Sequence, residues 1–160
     1  MPRQPQGHGK AAQQGLSALA GAVLDTHAAI WLLNGEPMSA DALEAIAEAQ
    51  LAGKLFLSPI TGWEAALALT KRDGRPDLGG RDGGAWFRAA RRLPGATLVP
   101  IGPAIALEAA RVPAIYGRGD PGDCFIIATA RMKRVPVITR DRAMIDLAQR
   151  EPAFLAAVSC

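Results

Sequence analysis

Apolar residues along this chain fall into two spacings. Short, nearly continuous runs occur at Ala22–Leu24, Leu55–Ser58, Thr97–Ile101, Val135–Ile138 and Ala156–Ser159. Runs of this length, rich in β-branched residues and bounded by turn formers, predict strands buried on both faces. Between them, apolar residues recur three and four positions apart, which predicts helices over Thr26–Leu33, Ala40–Ala52, Thr61–Lys71, Ala85–Leu93, Ala104–Val112, Phe125–Arg134 and Ala143–Arg150. In Ala40–Ala52, for instance, Leu43, Ile46, Ala47 and Leu51 line one face, while Asp41, Glu44, Glu48 and Gln50 line the other and Ser39 stands at the cap. Asn34-Gly35-Glu36-Pro37 and Gly53 stop helices, and the Gly-, Asp- and Arg-rich stretch Asp73–Gly84 reads as a loop.

Strands that alternate with helices predict a parallel sheet covered by helices on both faces and joined by right-handed crossovers. The expected class is therefore α/β, a three-layer α/β/α sandwich around a mainly parallel sheet of four to five strands. A length of 160 residues suits one domain. Residues 21–160 are expected to form it, and Met1–Ala20, with no strong period, reads as a loose or partly helical extension without an assigned function.

The formal charge of +3 changes little. Setting aside Arg3 and Lys10 of the extension, 16 of the 18 basic residues face all 15 acids. Basic residues do gather locally at Lys71, Arg72 and Arg75, at Arg88, Arg91 and Arg92, and around the stretch Asp120–Asp141, where Arg118 and Arg140 are candidate contacts to phosphate. No window is apolar for long enough to span a bilayer and no secretory signal opens the chain, so a cytoplasmic protein without membrane association is expected. Cys124 and Cys160 match no metal spacing and read as packing residues in a reducing compartment.

The candidate chemistry lies in the acids. Asp25, Glu64, Asp123 and Asp141 each fall at a strand end or at the start of the following helix. Each also has a simpler reading: Asp25, Asp120 and Asp141 as helix caps, Asp123 as a first-turn acid, and Glu64 as the partner of Thr61 in a capping box. In a parallel sheet, however, groups at the carboxyl ends of the strands share one crevice. Carboxylates gathered there repel one another unless a cation neutralises them. Oxygen ligands without nearby His or Cys favour Mg²⁺ or Mn²⁺, ions that serve phosphodiester chemistry. His27 reads as a packing or surface residue rather than a ligand, and no phosphate-binding glycine loop, dinucleotide fingerprint or serine elbow is present.

Four ordered segments carry a resemblance: Val-Leu-Asp25-Thr-His, Leu-Ser-Pro-Ile-Thr-Gly-Trp-Glu64, Gly-Asp120-Pro-Gly-Asp123 followed by Phe-Ile-Ile-Ala-Thr-Ala, and Ile-Thr-Arg-Asp141. Together they resemble PIN domains of the VapC toxin branch, from about Ala22 to Ser159. The resemblance implies a Mg²⁺- or Mn²⁺-dependent endoribonuclease that cleaves structured RNA such as tRNA or rRNA, forms a homodimer, and is inhibited by a VapB-type antitoxin. It implies metal-binding and catalytic roles for Asp25, Glu64, Asp123 and Asp141, with Asp120 and Thr139 in support. Cys124 stands where many relatives carry Arg, and the leading extension is unusual among them. A PIN-like module that binds RNA or protein without cutting, or another metal-dependent phosphoesterase, is the alternative.

Overall fold

A computed structural model describes residues Ala20–Cys160. Apart from Ala20, the extension Met1–Ala20 lies outside the described residues. The strands β1 (Ala22–Leu24), β2 (Leu55–Leu57), β3 (Ala96–Leu98), β4 (Val137–Thr139) and β5 (Ala157–Ser159) form one sheet in the order β3-β2-β1-β4-β5. Every neighbouring pair is parallel. The helices are α1 (Thr26–Asn34), α2 (Ala40–Leu51), α3 (Pro59–Ala68), α4 (Gly83–Ala90), α5 (Pro103–Tyr116), α6 (Pro121–Lys133) and α7 (Arg142–Arg150).

Successive strand side chains point to opposite faces, so β1, β2 and β4 feed both layers. Ala22, Leu24, Leu55, Leu57 and Ile138 join Ala28, Ala29, Ile46, Ala65 and Trp86 in a core with α1 to α4. Val23, Phe56 and Val137 join Ile105, Val112, Ile126, Ile127, Met144 and Leu147 in a second core with α5 to α7. The strands β1, β2 and β4 are buried on both faces, which is why they read as continuous apolar runs rather than as alternating patterns, while the edge strands β3 and β5 are only partly covered. Burying a Leu, Ile or Val side chain fully is worth about 1.5–3 kcal/mol, so these two cores supply the main stabilisation.

The order of strands reverses at the centre of the sheet. From β1 the chain steps outward to β2 and β3, then returns to β4 on the other side of β1 and continues to β5. This places a switch point between β1 and β4, and the crevice at their carboxyl ends is where a parallel sheet receives ligands.

The α/β/α expectation and its parallel sheet hold, with several local differences. Helix α3 starts at Pro59 with Ser58 as its cap, not at Thr61, because Ser58 Oγ accepts the Ile60 N–H at 3.3 Å and proline suits a first helical position. Helix α5 continues past Val112 and through Pro113 to Tyr116. Strand β4 begins at Val137, two residues later than expected, because Arg134 adopts a left-handed conformation (φ 56°) that ends α6 and spends Val135 on the turn. Leu43, Ala47 and Leu51 were expected with Ile46 on the apolar face of α2 but are exposed, Leu51 at 91%, because the helix turns Ala42, Ile46 and Ala49 to the core instead. Trp63 and Leu67 of α3 are also about half exposed, at 50% and 46%.

Candidate functional site

Asp25 follows β1 directly and caps α1. Its Oδ1 accepts the Thr26 N–H at 2.6 Å, and its Oδ2 accepts the Thr139 hydroxyl at 2.8 Å. Thr139 is the last residue of β4 and fully buried, and its Oγ also accepts the Asp141 N–H at 2.9 Å. One hydroxyl therefore ties the ends of the two central strands together. Asp141 in turn caps α7, with Oδ1 accepting from Ala143 N at 2.7 Å and Met144 N at 3.2 Å.

Glu64 and Asp123 reach this crevice from helices. The Thr26 hydroxyl, beside Asp25, donates to Glu64 Oε2. The other oxygen of Glu64 lies against Gly122, where a Cβ would overlap it. Asp123 is next in sequence, and its Oδ2 accepts the Tyr116 hydroxyl at 2.7 Å. Asp120 caps α6 through its Oδ1 and the Asp123 N–H at 3.1 Å. An unbroken series of contacts thus runs from Asp141 through Thr139, Asp25, Thr26 and Glu64 to Gly122 and Asp123. The capping and cluster readings of Asp25, Asp120 and Asp141 are both true, because a cap at the carboxyl end of a parallel strand already lies in the crevice. The capping box proposed for Thr61 and Glu64 does not form: the Thr61 hydroxyl is buried without a partner among the described residues, and Glu64 turns to Thr26.

The electrostatics follow from this crowding. Burial raises the Asp25 carboxyl above its ordinary range and the nearby Asp141 adds to the rise, while Thr139, His27 and the Thr26 N–H oppose it. Glu64 is pushed up to about 7 by burial, with Asp25, Asp120 and Asp123 adding to the rise against the Thr26 hydroxyl. Asp123 is pushed up to about 6 by burial, and Asp141, Asp120 and Asp25 reinforce it against the Tyr116 hydroxyl. Such mutual elevation is the mark of carboxylates sharing one site without compensating positive charge.

The donor set is all oxygen, carboxylates with a threonine hydroxyl close by, and this chemistry fits a hard divalent cation. Among the described residues no three His, Cys, Asp or Glu side chains close on one point as a finished ligand set. The hydrogen bonds explain this: Thr26, Tyr116 and Thr139 each hold one carboxylate, and backbone amides hold Asp141. Two grooves lie elsewhere, one of about 610 Å³ beside Asp41, Glu44 and Val158 and one of about 340 Å³ beside Arg131 and Phe154. Neither contains any of the four acids.

The two arginines fare differently. Arg118 is exposed on the turn between α5 and α6, and its charge is felt at Tyr116. Arg140, expected as a phosphate contact, is engaged within the protein. Its Nε donates to Cys160 O at 2.5 Å, its NH2 group donates to Pro37 O at 2.7 Å, and its guanidinium lies 3.9 Å from the centre of the Trp31 ring. A guanidinium fixed to two carbonyls and an aromatic face clasps the fold, a structural role the sequence did not suggest, while the residue itself stays exposed. Cys124 is buried, and its thiol points to Arg118 O at 3.8 Å. Thr26, Tyr116 and Gly122 were not singled out in the sequence. For Thr26 the available signal was adjacency to Asp25, and for Gly122 its place between two acids.

Comparison with known proteins agrees with this architecture. The PIN domain family model matches residues 22–149. No curated protein matches the sequence. Among solved structures, a toxin–antitoxin complex from Klebsiella pneumoniae is similar at 22% identity over 86% of this chain and 96% of that one, with a TM-score of 0.52. DNA-bound VapBC from Salmonella typhimurium is similar at 15% identity over 88% of this chain and 98% of that one, with a TM-score of 0.58. FitAcB from Neisseria gonorrhoeae is similar at 20% identity over 85% and 95%, with a TM-score of 0.53. At these identities the likeness to solved structures speaks for the fold. The family match covers both central strands and all four acids, and the chain belongs to the PIN domain family.

Proposed function

We propose that this chain is a Mg²⁺- or Mn²⁺-dependent endoribonuclease, the toxin of a VapBC-type toxin–antitoxin pair. The observation that carries the reading is the series of contacts that links Asp25, Glu64, Asp123 and Asp141 from four separate elements, with the carboxyls of Asp25, Glu64 and Asp123 raised in pKa by burial and by other acids of the group. Such a site is electrostatically incomplete and gains from a divalent cation. Membership of the PIN family supports nuclease chemistry, and likeness to structures named as toxin–antitoxin complexes supports the toxin role.

In this reading Asp25, Glu64, Asp123 and Asp141 hold the cation, with Asp120 and Thr139 in support. A bound Mg²⁺ or Mn²⁺ would activate water and offset charge developing on the phosphodiester. Thr139 keeps Asp25 aligned across the two central strands. Glu64, raised to about 7, holds a proton near neutral pH in the cation-free protein and releases it when positive charge enters. Exposed Arg118 is placed to meet an RNA phosphate beside the acids. A VapB-type antitoxin and a second copy of this chain are the proposed protein partners. A cytoplasmic location is proposed as well; among the described residues no helix is long and apolar enough to cross a membrane.

The test is incubation of the purified chain with RNA, DNA and a phosphate monoester, each with Mg²⁺, Mn²⁺ or EDTA. Cleavage of RNA alone, abolished by EDTA and by Asp25→Asn, is expected. The Asn variant keeps the cap, since Asn serves at that position as well as Asp, so its melting temperature is expected to equal or exceed that of the parent. RNA cleavage that survives EDTA, or persists in Asp25→Asn, defeats the reading. Preference for DNA or for the monoester points to another phosphoesterase, and binding of RNA without cleavage points to a non-catalytic module.

A further inference from the structure

Tyr116 is the only tyrosine in the sequence, and it is 5% exposed. It is the last residue of α5, where Gly117 in a left-handed conformation (φ 75°) turns the chain away toward α6. The ring packs into the core shared with Val112, Ile126 and Ile127, and the hydroxyl emerges at the first turn of α6 to donate to Asp123 Oδ2 at 2.7 Å. Asp123 Oδ1 accepts no hydrogen bond among the described residues. One oxygen of this carboxylate is therefore fixed from inside the protein, while the other is left without a protein donor.

We propose that Tyr116 is a positioning residue for the acid cluster, its buried hydroxyl holding Asp123 so that the free oxygen is presented to a divalent cation. The inference rests on the proposed cation-dependent function. Its physical basis is preorganisation. Asp123 is partly exposed at a helix start and faces other carboxylates, which push it outward toward solvent. A donor anchored in the hydrophobic core opposes that push. The same logic applies to Thr139 and Asp25, but there both partners lie at the sheet edge, whereas Tyr116 couples the site to the packing of α5 against α6. Outer-shell partners of this kind typically alter metal affinity or activity by about 10- to 100-fold when removed.

The experiment uses the full chain and the bare cation. Tyr116→Phe keeps the ring and its packing and removes only the hydroxyl. Calorimetric titration with MnCl₂ is expected to show a Kd about tenfold or more above the parent's, with circular dichroism unchanged. In the parent, tyrosine labelled with ¹³C at the ζ carbon gives a single resonance, which is expected to shift saturably with Mg²⁺ at the midpoint found by calorimetry. This second measurement decides the matter even where the Phe variant folds poorly. An unaltered Mn²⁺ Kd in Tyr116→Phe, or a tyrosine resonance that stays still while Mg²⁺ saturates the parent, overturns the positioning role and leaves the cation-dependent reading intact. A parent that takes up neither Mn²⁺ nor Mg²⁺ overturns both.

Discussion

At Gly122 the acid cluster depends on a missing side chain. Its backbone is ordinary helix, so freedom of conformation is not the reason for glycine; the space its Cβ would fill is taken by Glu64 Oε1. Gly122→Ala raises helix propensity by about 1 kcal/mol but evicts the Glu64 carboxylate from beside Asp123. The expected outcome is a folded protein with little change in metal-free melting temperature, a reduced stabilisation by Mn²⁺, and RNA cleavage lowered about tenfold or more. An Ala variant with the parent's Mn²⁺ response and cleavage rate would show that Glu64 is not needed where it lies. The residue scale also shows what a sequence can hold. Asp25, Asp123 and Asp141 were legible because each is next to a strand end or helix start, whereas Glu64 was singled out on a helix start expected at Thr61 and lies five residues inside α3. Thr26, Gly122 and Tyr116 were not, because what matters in them is a contact with another segment: Thr26 with Glu64 and Gly122 with Glu64. The Thr61-x-x-Glu64 pattern misled for the same reason, since a local partner was available on paper while a distant one was closer in space.

At the scale of elements, the strands β1 and β2 lie within one residue of expectation because both of their faces are buried and the apolar runs mark them directly, and the partly covered β5 is equally close. The least legible element was the end of α5. Proline 113 signals a stop, having no N–H to donate and a ring that crowds the preceding turn, yet the helix continues to Tyr116. Its extension is stabilised from outside: Val112 and Tyr116 are buried against α6, and Arg131 of α6 donates to Glu108 of α5 at 2.6 Å. Tertiary packing overrides the local signal here, and the overridden turn is the one that delivers the hydroxyl to Asp123. The clasp made by Arg140 is a second case of elements joined beyond the reach of sequence, linking the end of β4 to Trp31 of α1, the Pro37 turn and the C-terminal Cys160. Arg140→Ala is expected to lower stability by about 1.5–3 kcal/mol, the range for hydrogen bonds to a charged group, as read from the urea midpoint. The salt dependence of RNA binding is expected to stay as in the parent. A flatter salt response with unchanged stability would return Arg140 to the phosphate track.

For the molecule as a whole, the raised carboxyls make stability depend on pH in an unusual direction. Glu64 is raised from an ordinary 4.5 to about 7 and Asp123 from 3.8 to about 6, with Asp25 raised as well. Between those values the folded protein holds protons that the unfolded chain has released, so the slope of stability against pH is negative. The contribution is fully present below about pH 4 and is lost as pH climbs through the folded values, because each carboxyl must then ionise among its neighbours. Ordinary acid-stabilised proteins show the opposite trend, gaining stability as their paired carboxylates ionise. A cation inverts the sign locally, since it favours the ionised acids and binds them more tightly as protons leave. In EDTA, the melting temperature is therefore expected to fall from about pH 5 to about pH 8, and to fall less steeply in Glu64→Gln, which removes one of the raised carboxyls. With Mg²⁺ present, the gain over EDTA is expected to be small near pH 5 and largest above pH 7, by the same linkage. Calorimetric scans of both variants across that range, with and without Mg²⁺, measure it. A parent whose stability in EDTA falls no more steeply with pH than the Gln variant's would mean that the acids do not burden one another. The four strand and helix ends would then share an edge of the sheet without sharing a field.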